Sequence, residues 1–331
     1  MQKILVTGSS GFIGYHLCKR LLDNKKFMIC GFDTHNKYYD VNLKEDRLKI
    51  LKKYSNFKFF KLDISNKKKI FENFKRYKYS YVVNLAAQAG VRYSITNPRA
   101  YMDSNIIGFF NIIEACRMNK IKHFLFASSS SVYGNSNKFP LNEKSNTDKP
   151  LSFYGATKKC NEVIAYSYSN IYHLPSTSLR FFTVYGPYGR PDMALFKFTK
   201  LILGNKKIDL YGRGKHERDF TYINDVIDAV QRLIFLPPKK TNNFFNVFNI
   251  SSNKPQKLIK YVSILERSVA KTAKKNFLKL QQGDVLKTHG DIKILNKYIG
   301  YKPKFNLHDG INKFVDWYKN YYKKINKKRK K

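Results

Sequence analysis

Lys3-Ile-Leu-Val-Thr7 runs directly into Gly8-Ser-Ser-Gly11-Phe-Ile-Gly14, and the reading of this stretch decides the fold. The short apolar run Ile4–Thr7 suits a buried strand, and the amphipathic Phe12–Leu22 suits a helix. Between them the glycines allow a tight turn and close approach of backbone to a ligand. A helix N-terminus reached through such a turn presents unpaired N–H groups and a positive dipole end to a pyrophosphate. Gly8, Gly11, Phe12, Ile13 and Gly14 are therefore expected to hold a dinucleotide.

Working outward, Phe27–Phe32 reads as a second strand ending at Asp33. An acid about twenty residues beyond the glycine turn can bind the adenosine ribose hydroxyls and repels a 2′-phosphate, so NAD is expected over NADP. Phe57–Leu62 reads as a third strand, with Asp63 and Ile64 placed for the adenine edge. Tyr81–Leu85 is a fourth, and the small residues of Asn84-Leu85-Ala86-Ala87 let a nucleotide lie close. A long helix is predicted from Pro98 to Met118, with Asn105 holding backbone near the cofactor. Phe124–Ala127, a helix from Phe153 to Ile171 and Ser176–Phe181 continue the alternation. The pattern predicts an α/β fold with a doubly wound parallel sheet.

After Phe182, Pro187, Gly189 and Pro191 break the chain, and later elements are short. Residues 1–182 are expected to form the dinucleotide-binding domain, with a returning segment at roughly 223–250. Residues 183–322 otherwise form a smaller interleaved cap, and 323–331 a basic, disordered tail.

The chain of 331 residues carries 63 Lys+Arg against 23 Asp+Glu, a formal net charge of +40. These lysines run through nearly every segment and do not concentrate in one arm, which argues against a specific nucleic-acid partner. No apolar run is long enough to span a membrane, and because Lys3–Thr7 already reads as a first strand no signal peptide is expected. Cys18, Cys30, Cys116 and Cys160 lack metal-ligand spacing and read as free thiols, so a cytoplasmic location is expected. The helices at 98–118 and 153–171 carry more apolar surface than one sheet face covers, which predicts a homodimer.

Tyr154-Gly-Ala-Thr-Lys158 supplies the chemistry. On a helix, residues four apart share a face. An ammonium there favours the phenolate of a tyrosine whose ordinary pKa is about 10. The pair reads as a proton-transfer device beside a nicotinamide. Ser128-Ser-Ser-Ser131 follows the fifth strand, where hydroxyls reach ligands at the carboxyl end of the sheet. The scattered histidines have no metal spacing and are given no chemistry.

On these residues the chain resembles the extended short-chain dehydrogenase/reductase family, and within it the nucleotide-sugar 4-epimerases acting on UDP-glucuronate. The matching stretches are Val6–Gly14, Asn84-Leu-Ala-Ala-Gln-Ala-Gly-Val-Arg92, Ala127-Ser-Ser-Ser-Ser-Val-Tyr-Gly134 and Tyr154–Lys158. Arg180-Phe-Phe-Thr-Val-Tyr-Gly-Pro187, Arg190-Pro-Asp-Met-Ala-Leu-Phe-Lys-Phe198 and Arg218-Asp-Phe-Thr-Tyr222 extend the likeness over the whole chain except its basic end. The resemblance implies a tightly bound NAD and inversion at C4 of a UDP-sugar through a 4-keto intermediate. Tyr154 is then the base, Ser129 the catalytic hydroxyl, and Lys158 a holder of the nicotinamide ribose. Ser130 and Ser131 support Ser129 or touch the sugar, and Ser131 stands where dehydrating relatives carry an acid. Arg190, with Arg92 behind it, is the expected clamp on a sugar carboxylate. Arg218 pairs with the diphosphate, Tyr211 stacks on uracil, Thr183 bonds a phosphate or sugar oxygen, and Asp284 binds the uridine ribose. Gln281 departs from the pattern, since neutral-sugar relatives often have arginine there. A neutral UDP-sugar 4-epimerase, a non-catalytic NAD sensor and a basic nucleic-acid binder remain alternatives.

Overall fold

A computed structural model describes residues 1–329. The first half alternates as the apolar pattern requires: β1 (Gln2–Thr7), α1 (Phe12–Leu22), β2 (Phe27–Asp33), α2 (Val41–Leu51), β3 (Phe57–Lys61), α3 (Lys67–Tyr77) and β4 (Tyr81–Asn84). Two short helices, α4 (Tyr93–Thr96) and α5 (Pro98–Tyr101), lead through a π-helical turn at Met102–Ile107 into α6 (Gly108–Met118). β5 (His123–Ser129), α7 (Phe153–Tyr172) and β6 (Ser176–Phe181) complete this half. Beyond it lie β7 (Thr183–Tyr185), α8 (Ala194–Leu203), β8 (Ile208–Leu210), β9 (Glu217–Tyr222), α9 (Ile223–Ile234) and β10 (Phe245–Ile250). The last elements are β11 (Pro255–Lys257), α10 (Leu258–Val269), β12 (Lys275–Phe277), α11 (Lys293–Ile299) and α12 (Leu307–Arg329).

Seven strands form one sheet in the order β10-β6-β5-β4-β1-β2-β3. Every neighbouring pair is parallel. The strand order reverses between β1 and β4, which opens a crevice at their carboxyl ends. β1 and β5 are buried along most of their length, as a strand covered by helices on both faces must be. β10 returns to the sheet edge beside β6, after the chain has built a three-stranded sheet β11-β9-β7 and a pair β12-β8. One apolar core runs from Ile4 and Val6 through Val226 and Val230 of α9 to Phe314 and Tyr318 of α12. Interleaving, not a clean cut, is what a shared core produces.

Two expectations change. The single helix over 98–118 is divided by the π-helical turn, which carries Asn105. Gly108 then lies so close to Ile64 that a Cβ would come within 2.6 Å of its side chain. The basic tail expected from 323 is helical to Arg329, because α12 continues through residues with no helix breaker and lysines suit a helix C-terminus. Residues 330–331 lie outside the described residues.

Candidate active site

A cleft of about 1140 Å³ opens over the carboxyl ends of the sheet. It is lined by every residue assigned above to cofactor or substrate except Asn105. At its inner end Gly8 has φ +68°, and a Cβ there would meet Ala86 N at 2.9 Å. A Cβ on Gly14 would lie 2.1 Å from Gly8 O. Thr7 Oγ1 donates to Asn84 Oδ1 at 2.6 Å and accepts from Ala86 N at 3.0 Å, which locks the β1 and β4 ends together. Helix α1 has Gly11 as its N-cap and no side-chain cap, so the N–H groups of its first turn at Phe12, Ile13 and Gly14, which line the cleft, have no side-chain acceptor. Asp33 accepts from Ser10 N at 3.1 Å and His35 N at 2.9 Å, and Asp63 from Ser65 N at 2.8 Å. A bare helix N-terminus beneath a glycine cradle, with an acid at the end of β2, fits a dinucleotide.

Asn105 does not line the cleft. Its buried amide is spent on other partners: Oδ1 accepts from Gln88 N at 2.8 Å, and Nδ2 donates to Gln88 O and Thr157 Oγ1, both at 3.0 Å. It holds the backbone of the loop after β4 and ties that loop to α7, so it acts on the cofactor end through Gln88.

Ser152 caps α7, accepting from Gly155 N at 3.0 Å, and this first turn presents Tyr154 half-buried to the cleft. Burial pushes the Tyr154 phenol above 10.0, while a hydrogen bond with Ser129 and the charge of Arg190 pull it down. Lys158 is anchored on backbone. Its Nζ donates to Ala127 O at 2.8 Å and lies 6.0 Å from the Tyr154 ring centroid. Burial alone lowers it to about 8. Ser129 and Arg190 oppose the effect of burial on the phenol, and the carbonyl at the end of β5 anchors the Lys158 ammonium over the Tyr154 ring. Ser129 Oγ donates to Ser131 Oγ at 3.2 Å and accepts from Ser131 N at 3.2 Å. Behind the loop, Ser128 Oγ donates to Glu162 Oε1 at 2.6 Å, and Arg180 grips that carboxylate through Nε at 2.9 Å and Nη2 at 2.7 Å.

The outer end is charged. Arg218 Nη2 donates to Asp284 Oδ1 at 2.9 Å. Arg92 Nη2 lies 3.7 Å from Asp284 Oδ2, and its guanidinium covers the Tyr211 ring at 4.6 Å. Arg92, the second candidate for the carboxylate clamp, therefore sits with Arg218. Asp284 faces two arginines, which places its carboxylate in an ion-pair cluster. Arg190 pairs with Asp192, and that carboxylate holds its guanidinium pKa up against burial. Thr183 begins β7 on the same wall.

With this geometry in hand, the comparison with known proteins is direct: the sequence profile of the NAD dependent epimerase/dehydratase family matches residues 4–250. The chain belongs to that family. Protein CapI of Staphylococcus aureus is 48% identical over 336 residues, covering 98% of this chain and 100% of that protein. The probable UDP-glucuronate 4-epimerase of Rhizobium meliloti is 40% identical over 337 residues, with 98% of each chain covered. The crystal structure of UDP-glucuronic acid 4-epimerase from Bacillus cereus, in complex with UDP-glucuronic acid and NAD, superposes with a TM-score of 0.91 at 35% identity, covering 97% of this chain and 100% of that one.

In this member of the NAD dependent epimerase/dehydratase family, sequence reasoning missed three residues of the cleft wall. Tyr38 donates to Asp192 Oδ2 at 3.3 Å. Asp192 itself lay inside a quoted motif, and its position two residues after Arg190 was the available signal. His216 is buried with Nε2 3.5 Å from Asp284 Oδ2, and burial and Arg218 depress its pKa. A lone histidine gave no signal. Among the described residues, no group of His, Cys, Asp and Glu is placed to hold a metal, and no helix is long and apolar enough to cross a membrane.

Proposed function

We propose that the protein is an NAD-dependent 4-epimerase of a UDP-sugar, converting UDP-glucuronate to UDP-galacturonate. The observation that carries this reading is the meeting of the glycine cradle, the Ser129–Tyr154 pair and the arginines in one cleft. The likeness to an epimerase holding UDP-glucuronic acid and NAD supports it. Gly8, Gly11, Phe12, Ile13 and Gly14 would hold the diphosphate of NAD, Asp33 its adenosine ribose, Asp63 and Ile64 the adenine, and Leu85–Ala87 the nicotinamide side. When bound, NAD supplies the reversible oxidation of C4 to a ketone.

Tyr154 Oη takes the C4 hydroxyl proton and later returns it, and Ser129 Oγ fixes the C4 oxygen against it. Lys158, anchored on Ala127 O, bonds the cofactor ribose. Ser130 and Ser131 line the sugar pocket, and the absence of an acid at Ser131 leaves dehydration without a proton donor. Arg190 holds the C6 carboxylate. This matters because the 4-keto uronate is a β-keto acid, which loses CO2 if the C5–C6 bond aligns with the carbonyl π system. Arg218 and Arg92 bind the diphosphate, Tyr211 the uracil, Asp284 the uridine ribose, and Thr183 a sugar or phosphate oxygen.

We read residues 1–182 with 223–250 as the NAD-binding domain and the rest of 183–322 as the nucleotide-sugar cap. Ile107 and Phe110, with Val163, Tyr166 and Ile171 of α7, are exposed. We assign that face to a homodimer, which Phe110→Asp with Val163→Asp would dissociate in light scattering. The unpaired cysteines suit a cytoplasmic protein.

Incubation with UDP-glucuronate without added reductant, followed by NMR of the sugar, tests the function. UDP-galacturonate is the expected product. Interconversion of UDP-glucose and UDP-galactose alone would keep the chemistry and remove the carboxylate. No turnover of any UDP-sugar would refute the reading.

A further inference from the structure

Arg190 meets Asp192 side-on: Nε donates to Oδ1 at 3.0 Å and Nη2 to Oδ2 at 2.5 Å. A guanidinium offers carboxylates two forks, the side formed by Nε and Nη2 and the end formed by Nη1 and Nη2. Asp192 takes the side fork. Nη1 has no protein hydrogen-bond partner among the described residues, and Arg190 lines the cleft. The end fork is thus the one available to an external carboxylate.

Asp192 is held in turn from a distant segment. Tyr38, in the loop after β2, donates to its Oδ2 at 3.3 Å, and the Arg190 guanidinium lies 5.9 Å from the Tyr38 ring centroid. The backbone just before Arg190 is pinned as well. Arg47 of α2 is fully buried and donates from Nη2 to Tyr188 O at 2.6 Å. Its Nη1 donates to Ser10 O, inside the glycine turn, at 2.9 Å. Arg47 fixes where the loop sits relative to the cofactor end, and Asp192 fixes which edge of Arg190 faces the sugar.

We propose that Asp192 is a positioning residue for carboxylate recognition: it turns the end fork of Arg190 toward the C6 carboxylate, with Tyr38 holding Asp192 in place. This rests on the reading of Arg190 as a carboxylate clamp. A clamp that can rotate no longer keeps the C5–C6 bond out of line with the C4 carbonyl. The C5–C6 bond then breaks and CO2 leaves. Its electron pair forms the C4–C5 enolate, which takes a proton at C5 and becomes a UDP-4-ketopentose. The two electrons removed from C4 stay on the cofactor.

The test compares wild type, Asp192→Asn, Tyr38→Phe and Arg190→Ala. It measures UDP-glucuronate and UDP-glucose binding by calorimetry, and CO2 release against UDP-galacturonate formation. Loss of one charged hydrogen-bond partner predicts about tenfold weaker UDP-glucuronate binding in Asp192→Asn and a rise in the CO2 share. UDP-glucose binding should hold. Tyr38→Phe should shift the same quantities in the same direction by less, and it guards against a misfolded Asp192→Asn. A role confined to stapling the loop predicts equal losses for both sugars and no extra CO2, and that result overturns the proposal. If Arg190→Ala leaves the UDP-glucuronate to UDP-glucose binding ratio at the wild-type value, the clamp reading itself fails. If Arg190→Ala changes the ratio and Asp192→Asn does not, only the positioning role of Asp192 falls.

Discussion

The two ends of the cleft are built on different principles. At the dinucleotide end the contacts are backbone against backbone: a Cβ on Gly14 would collide with Gly8 O, and one on Gly8 with Ala86 N. At the sugar end, side chains from distant segments converge, and each arginine already has an acid. Arg190 faces Asp192, while Arg218 and Arg92 face Asp284. The first end tolerates no added atom. The second tolerates atoms, but an incoming anion competes or cooperates with internal carboxylates. Affinity there is a difference between two sets of ion pairs, and specificity follows from which fork each arginine leaves open.

Tyr154 stands where the two ends meet, and Tyr154→Phe should have the largest effect. Removing a general base predicts about a 10³-fold loss in kcat with NAD still bound, checked by turnover and by absorbance of the purified protein. Retained activity would transfer the proton to another group. Gly14→Ala comes next and breaks only the cofactor end. The added methyl should cost about 3 kcal/mol, read as a lowered melting temperature and lost NAD. Arg218→Ala should act only at the sugar end. Loss of its charged hydrogen bonds predicts about a tenfold rise in KM for the UDP-sugar, with NAD content unchanged. If Arg218→Ala also empties the cofactor, the two ends are coupled and the comparison fails.

The cofactor end was legible because its information is short-range. Strand, glycine turn and helix occupy consecutive residues, and the acid at Asp33 marks the end of the next strand. The sheet followed from apolar alternation for the same reason. The sugar end depends on contacts across great sequence separation, which spacing does not encode. Tyr38 reaches Asp192 and His216 approaches Asp284 only after folding. Asn105 was legible as a holder of backbone, since a polar residue amid apolar neighbours marks a buried amide, but its backbone partner Gln88 and its second partner Thr157 were not. The spacing of Tyr154 and Lys158 was read correctly as a shared helix face. The direction of the ammonium depended on Ala127 O, a backbone acceptor no side-chain pattern reveals.

That last point gives the smallest effect and the sharpest test. Tyr154 must start deprotonated to accept a proton, so the rate rises with pH as the phenolate fraction grows. Burial raises the phenol, and Ser129 with Arg190 opposes the rise. Ser129→Ala removes one opposing interaction, so the phenol climbs further and the rising limb of kcat against pH moves to higher pH. One hydrogen bond worth about 1 kcal/mol corresponds to a displacement of under about one unit. Lys158→Met should instead lower NAD retention and leave that limb in place, since the ammonium is held by Ala127 O at 2.8 Å. The opposite pattern, a limb moved by Lys158→Met and unmoved by Ser129→Ala, would return the activation of the phenol to the lysine. Tyr154 would then take its electrostatics from its own helix and not from the serine loop.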